Sequence, residues 1–263
     1  MKLKRFLCKA LPTATSNSSL SKDEINHARN VLRLKSGDLV EAMDGRGNAA
    51  VVRLNFSDVD TCFLELTEQD STLQGGGIQV SSLILHLAVL KGDAMTWAIE
   101  KAVETGVSAI YPFLSERSVV QTKNRDSDHF RARWQKIADQ SIKQCGRLIA
   151  MPVHPLSTLS TQLSTIRANS EEDPLVLHES HPQTEPLLEW LLNRHRSGKM
   201  GRPCHAFIGP EGGWTPAETE IFTSYGACFA TLGELTLRAE TAAVSVGTLF
   251  FAASTLDKSS AIS

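Results

Sequence analysis

Residues 207–214 read FIGPEGGW, and residues 232–241 read LGELTLRAET. The first is a short apolar run broken by Gly209-Pro210, an acid, two more glycines and a tryptophan; the second leads into the apolar segment 242–253. Each has the form of a strand that ends in a loop of special backbone positions and then feeds a helix. Ligands of open α/β sheets sit at such carboxyl ends of strands. Two such units close in sequence point to one pocket made mostly of backbone. A plain turn accounts for Thr215, Pro216 and Glu218, which form a capping box with proline at the first helical position. It does not call for three glycines and an acid within residues 209–213, whereas close approach to a flat ligand does. Neither GxxxxGK[ST] nor GxGxxG occurs, so triphosphate and dinucleotide readings lack their phosphate cradle. Residues 237–242 read equally as a second ligand loop and as a simple helix start with Glu240 against the dipole.

Working outward, alternating strand and helix signals fill the chain from residue 79 onward. An apolar run over 79–90 precedes helical spacing over 95–105, closed by Gly106. A strand over 109–114 runs into Ser115-Glu116-Arg117-Ser118, and a helix is expected over 130–147. Residues 121–129 are polar without periodicity. A peripheral helix and loop over 157–173, a strand over 175–177 and a helix over 187–196 follow. The class is α/β, with a parallel sheet covered on both faces.

Residues 1–73 read as a small β-rich domain. Runs 39–43 and 49–56 flank Asp44-Gly45-Arg46-Gly47-Asn48, a hairpin turn, and a further strand is expected over 61–68. Ser21 and Glu24 form a capping box for a helix within 21–34. STLQGGG, residues 71–77, is the linker candidate and sets the domains at 1–73 and 74–263.

The net charge of −2 conceals a basic front and an acidic back. Residues 1–53 carry ten Lys/Arg against five Asp/Glu, while 151–263 carry seven against twelve. A polyanion bound by the front is one explanation; scatter over the surface is the other. Arg117, Lys143, Gln144 and Arg147, at element ends, together with Arg5, Arg29 and Arg33, are candidates for a phosphate-binding track. Five cysteines without C-x-x-C spacing argue against a disulfide framework or structural zinc and fit a reducing cytoplasm. The start lacks the apolar core of a signal peptide, and no stretch is long and apolar enough for a membrane span. His178-Glu179-Ser180-His181 is H-E-x-H, not the H-E-x-x-H of a helical metal site, so no metal is expected.

Taken together, HARNVLRLKSGD (27–38), KGDAMTWAIEKAVETGVSAIYPFLSERSVV (91–120), QSIKQCGR (140–147), FIGPEGGWTPAE (207–218) and LGELTLRAETAA (232–243) resemble the bacterial 16S ribosomal RNA uridine-N3 methyltransferase family. That family is a branch of the knotted SPOUT methyltransferases. The resemblance implies an N-terminal PUA-like β-barrel for RNA and a C-terminal SPOUT α/β domain with a deep trefoil knot. It implies S-adenosylmethionine as methyl donor, 16S rRNA within the 30S subunit as substrate, a homodimer, and neither metal nor membrane. Carried over by motif, the cofactor residues are Leu177, Glu179, Ile208, Gly209, Gly212, Leu232, Leu237 and Arg238. Arg117 and Arg238 are the catalytic candidates, placed to stabilise a developing uracil anion. The RNA-facing set is Arg5, Arg29, Arg33, Lys91, Arg117, Gln144 and Arg147. Thr105 departs from the leucine more usual in the family. Two other readings stay open: a non-catalytic RNA-binding assembly factor, and a methyltransferase of this fold with another RNA target.

Overall fold

The computed structural model describes residues 3–13, 15–66, 73–74, 80–118, 127–169 and 174–256. The chain divides into two compact units, one of Met1–Gln79 with Asp139–Ala150 and one of Val80–Ala138 with Met151–Ser263. The linker expected at 71–77 lies outside the described residues apart from Leu73–Gln74. Residues 121–126 of the polar stretch also lie outside them. Residues 139–150, assigned from the sequence to the second domain, group with the first unit, which corrects that assignment.

The first unit holds β1 (Arg5–Leu7), β2 (Ser18–Ser19), α1 (Lys22–Asn26) with a π turn His27–Val31, β3 (Leu39–Met43), β4 (Asn48–Phe56), β5 (Cys62–Leu66) and β6 (Leu73–Gln74). The sheet order is β1-β3-β4-β5-β2, with β6 on β4. Among the described residues β1 and β2 do not pair with each other, so the sheet curls as part of a barrel whose closure they do not make. The hairpin from β3 to β4 forms as read. Asp44 accepts from the backbone N–H groups of Arg46 and Asn48 at 2.7 and 3.1 Å, and Gly45 and Gly47 take positive φ. Backbone from 148–150 completes this turn: Gly47 N–H donates to Leu148 O at 3.1 Å and Ala150 N–H to Gly45 O at 2.8 Å. Phe6, Val40, Val52, Leu54 and Leu64 form its fully buried core.

Ser21 caps α1, but the capping box is only half made. Glu24 N–H donates to Ser21 Oγ at 3.3 Å, while the Glu24 carboxylate turns to Lys143 Nζ at 2.7 Å instead. Both side chains are about nine-tenths buried. The helical segment closes at Arg33, the one described non-glycine residue with positive φ (+56°). Leu34 N–H reaches back to Ala28 O at 2.9 Å, the wrap of a helix terminus in which glycine usually holds the left-handed position.

The second unit holds β7 (Leu83–Ala88), α2 (Asp93–Glu104), β8 (Ala109–Leu114), α3 (Ser127–Cys145), β9 (Ser157–Thr158), α4 (Leu159–Asn169), β10 (Leu175–Leu177), β11 (Glu185–Pro186), α5 (Leu187–Arg196), β12 (Cys204–Ile208), α6 (Pro216–Ser224), β13 (Cys228–Thr231) and α7 (Ala239–Ser254). The last residues of α3 belong to the first unit. The sheet order is β11-β13-β10-β12-β7-β8-β9, and every pairing is parallel. Side chains alternate across it. Leu83, Leu85 and Leu87 are fully buried on the face opposite Ala88, Phe113, Val176 and Phe207, which pack with residues of α4 and α6. Helix α7 packs on α2 so closely that a Cβ on Gly247 would lie 2.3 Å from Thr105 Oγ1. Thr105, the departure from family leucine, is therefore matched to a glycine on the facing helix.

Candidate active site at the carboxyl ends of the parallel strands

Five loops leave the sheet at one end: those after β7, β8, β10, β12 and β13. Each follows a largely buried strand, so the site stands on a rigid base while its own residues reach solvent. The loop after β8 carries Arg117. Its Nη1 donates to Gly212 O at 2.9 Å, in the loop after β12. Glu218, at the third position of α6, is 3 % exposed. Its carboxylate accepts from the Ser115 hydroxyl at 2.7 Å, Glu116 N–H at 3.1 Å and Thr215 N–H at 2.9 Å. The capping box read from sequence thus does a second task, because the same carboxylate that caps α6 holds the loop bearing Arg117. The sequence signal identified the cap; the tie to Ser115 and Glu116 depends on strand order and was not visible in local spacing.

The other loops are joined in the same way. Trp214 Nε1 donates to Leu177 O at 2.9 Å, binding the end of β10 to the loop after β12. Thr236 Oγ1 donates to Glu179 Oε2 at 2.7 Å, binding the loop after β10 to the loop after β13. Lys91 N–H donates to Glu211 Oε1 at 2.9 Å. Side-chain and backbone bonds therefore draw Lys91, Arg117, Leu177, Glu179, Gly212 and the 232–238 loop to one end of the sheet.

The glycines need a revised account. A Cβ on Gly209 would meet the Trp214 indole at 3.0–3.3 Å, and one on Gly212 would meet Arg117 Cβ at 3.0 Å. Gly213 takes φ +68° in a turn closed by its N–H on Pro210 O at 2.9 Å. The protein's own tryptophan and arginine thus pack directly against these two glycines. The loop is tight because it packs Trp214 and the stem of Arg117.

What faces outward is chemically mixed. Leu235 is 81 % and Leu237 37 % exposed. Both leucines share a loop with Thr236, which touches the exposed Glu179. Leu232 and Gly209 are half-buried, whereas Ile208 and Leu177 are buried and offer backbone only. Arg238 is exposed at the N-cap of α7, with no side-chain cap bond, and its C=O accepts from Ala242 N–H at 2.9 Å. The set combines an apolar platform, one carboxylate and backbone at strand ends. That suits a flat, partly apolar ligand with hydroxyls, such as a nucleoside.

The histidines of H-E-x-H serve the turn. His178 Nδ1 accepts from Ser180 N–H at 3.1 Å and His181 Nδ1 from Gln183 N–H at 3.2 Å, while His181 stacks on Phe229 at 3.7 Å. Among the described residues no group of three His, Cys, Asp or Glu is placed to hold a metal. All five cysteines are free, and burial pushes the Cys8 thiol up to about 11.

The RNA-facing candidates separate sharply. Arg5 pairs with Glu41 at 2.8 Å and is mostly buried. Arg29 lies over Phe56 at 4.5 Å and donates to Asp58 O. Arg147 is 2 % exposed, with Nε on Ile149 O at 2.5 Å, and burial lowers its guanidinium to about 10. Its assignment as a direct phosphate contact is corrected by this burial. Arg33, Lys91, Arg117 and Gln144 are exposed.

A parallel sheet with a site on its strand ends, beside a separate β-rich unit, has the make-up of an α/β enzyme with an appended module. Residues 79–250 match the RNA methyltransferase domain and residues 20–66 the RNA methyltransferase PUA domain. The chain belongs to the RNA methyltransferase family. A similar protein of Bacillus subtilis, Ribosomal RNA small subunit methyltransferase E, is 29% identical over 230 residues and is matched over 85% of each chain. Its namesake from Rickettsia conorii is 25% identical over 246 residues, covering 93% of each chain. The crystal structure of Ribosomal RNA small subunit methyltransferase E from Neisseria gonorrhoeae bound to S-adenosyl methionine superposes with a TM-score of 0.78 at 27% identity, over 96% of this chain and 97% of that one.

Proposed function

We propose that this chain transfers a methyl group from S-adenosylmethionine to N3 of a specific uridine of 16S ribosomal RNA in the assembled small subunit. The observation that carries the reading is the set of strand-end loops bonded into one site within the stretch that matches the RNA methyltransferase domain. The relatives named above supply the substrate, and the gonococcal structure supplies the cofactor.

The residues present fit that cofactor. Leu177, Ile208, Gly209, Gly212 and Leu232 offer backbone and close packing, Leu237 an apolar platform, Glu179 an acceptor for ribose hydroxyls, and Arg238 a cation. When bound, the cofactor supplies an electrophilic methyl group on a sulfonium. The chain's own task is to align the uracil ring with it, and good alignment alone contributes about 7–11 kcal/mol. Uracil N3 loses its proton in the reaction. Arg117, fixed through Gly212 O and the Glu218 contacts, is placed to stabilise the resulting anion, and Arg238 is the second cation of the site. Arg33, Gln144 and Lys91 are surface groups for phosphate and sugar contacts, which position an RNA without reading its bases.

Three finer points belong to the same reading. The domains are a PUA module over 1–73 and a methyltransferase domain over 74–263, with 139–150 joining the former. The second domain carries a deep trefoil knot. In support, the chain passes from β13 through 232–238, beside Glu179, back to α7, which packs on β7 and β12. The protein acts as a cytoplasmic homodimer. In support, Glu240 is the only charged residue of α7, and a helix so poor in charge gains from cover on more than one side. Among the described residues no helix is long and apolar enough to cross a membrane.

The test uses small subunits from cells lacking the relatives' activity, S-adenosylmethionine with a labelled methyl group, and mass mapping of the product. The expected product is one N3-methyluridine in 16S rRNA. No binding of S-adenosylmethionine by calorimetry, and no methyl transfer, would instead indicate an assembly factor. Label at another nucleotide would retain the chemistry and overturn the target.

A further inference from the structure

A second pocket lies within the same parallel-sheet unit, lined by the strands themselves and away from the strand-end loops. It encloses about 580 Å³ and is lined by Ile84, His86, Tyr111, His154, Gln162 and His205 among others. That size suits a small-molecule ligand. Register builds it. Phe207 is the cross-strand partner of His86, and His86 of Tyr111. His154 N–H bonds to Ile110 O at 2.9 Å, beside Tyr111. The four rings stack in a row, with centroids 4.2, 5.1 and 3.8 Å apart.

With His86 neutral, the hydrogen bonds along this row run in one direction. Gln162 Nε2 lies 2.9 Å from Pro112 O and 3.4 Å from Tyr111 O. Carbonyls only accept, so the amide nitrogen must face them and Oε1 must face His86 Nδ1, at 2.5 Å. His86 Nδ1 therefore carries a proton and donates. His86 is fully enclosed, and burial drives its imidazole down to about 3, so it is neutral and its Nε2 is an acceptor. Its partner at 2.9 Å is His205 Nδ1, which must then be the donor. Burial also lowers His205, to about 4. A neutral His205 protonated on Nδ1 keeps Nε2 as a lone-pair acceptor in a residue that lines the cavity. One fixed amide thus sets two tautomers in series.

We propose that this cavity is a second binding site, for a flat heteroaromatic ring of nucleobase size that donates an N–H to His205 Nε2. The apolar lining of Ile84, Pro155, Ile166 and Pro203 takes the ring body. Tyr111 also lines the cavity. A ring-nitrogen acceptor beside an apolar wall suits an N–H-bearing heteroaromatic ring and gives a simple hydrocarbon nothing to satisfy it. The site is independent of the methyl-transfer reading. The ring has two sources, a free nucleoside or an unpaired base of an RNA strand, and the experiment separates them.

Histidine ring nitrogens of the whole protein, labelled with ¹⁵N, are recorded at pH 7. His86 and His205 should both show the Nδ1–H form; an Nε2–H form at His205 overturns the proposal outright. Adenosine and cytidine are then titrated, with N6,N6-dimethyladenosine as the matched ring lacking the N–H. Adenosine or cytidine should shift His154 and His205, and the dimethylated ring should bind at least tenfold more weakly. Equal binding of the dimethylated ring, or no shift with any probe up to millimolar concentration, removes the site. His205→Phe keeps the ring and loses the acceptor, so it should weaken adenosine at least tenfold; unchanged binding counts against the proposal. Should that variant fold poorly, Thr165→Trp, which fills the cavity from α4, gives the same test. A short unstructured adenine-containing oligoribonucleotide that binds at least tenfold tighter than adenosine assigns the source to RNA; equal or weaker binding assigns it to the free nucleoside.

Discussion

The first unit and the strand-end loops of the second both carry cations, and they use them in opposite ways. In the first unit Arg5 faces Glu41, Lys143 faces Glu24, and Arg147 is enclosed. At the strand ends Lys91, Arg117 and Arg238 stay exposed, and the one side-chain bond of Arg117 given above orients it without neutralising it. A count of basic residues therefore does not separate the buried cations Arg5, Lys143 and Arg147 from the exposed ones at the strand ends. A buried cation is part of the structure and loses its value for steering RNA. An exposed arginine aimed by a carbonyl is preorganised for an anion.

Four measurements would break or sharpen this contrast. The largest effect is expected from Lys143→Met, which strands the Glu24 carboxylate inside the first unit. Loss of one partner of such a pair costs about 3–5 kcal/mol, read from urea unfolding, and adding Glu24→Leu should restore most of it. A loss under about 1 kcal/mol, the size typical of an exposed pair, would place this lysine with the surface groups. Arg117→Ala should do the reverse. Methyl transfer should fall by about 10²–10³-fold, with the unfolding midpoint unchanged; a lowered midpoint would make Arg117 structural as well.

The third measurement follows stability against pH. The folded values of His86 and His205, about 3 and about 4, lie below the ordinary 6.5. As pH falls, the unfolded chain takes up protons first, so stability holds above about 6.5 and declines from there toward pH 4, by up to about 1.4 kcal/mol per imidazole per pH unit. A flat profile over that window would mean the imidazoles are not buried neutral. The smallest effect is expected at Arg33. Its left-handed backbone favours glycine, so Arg33→Gly should raise stability by about 1 kcal/mol. The same change should reduce the salt dependence of RNA binding by about one phosphate contact. Unchanged salt dependence would leave the strain without a functional reason.

Much of the fold was legible because periodicity and end signals agreed. The helix Leu187–Arg196 and the strand Ala109–Leu114 fall on the residues read from pattern alone. The strand-end location of the site followed from the strand–loop–helix form of 207–218 and 232–243. Other features depended on what comes together in space. No local spacing relates residues 86, 111, 154, 162 and 205; parallel register does. The burial of Arg147 was unreadable because a basic residue at a helix end looks the same whether water or protein surrounds it. That Gly209 packs on Trp214 and Gly212 on Arg117 depends on how the loop folds back and on strand order, which the residues alone do not show.

The turn at 44–48 is finished by backbone from 148–150, and Glu24 is answered by a lysine at 143. The first unit is therefore not a cassette that ends where its first run of strands ends. A fragment stopping near residue 79 would expose unmet backbone at that turn and leave a carboxylate without its counterion. Module swaps between relatives will have to carry 139–150 along, and an insertion near residue 145 will damage a module whose strands lie about a hundred residues earlier in the sequence.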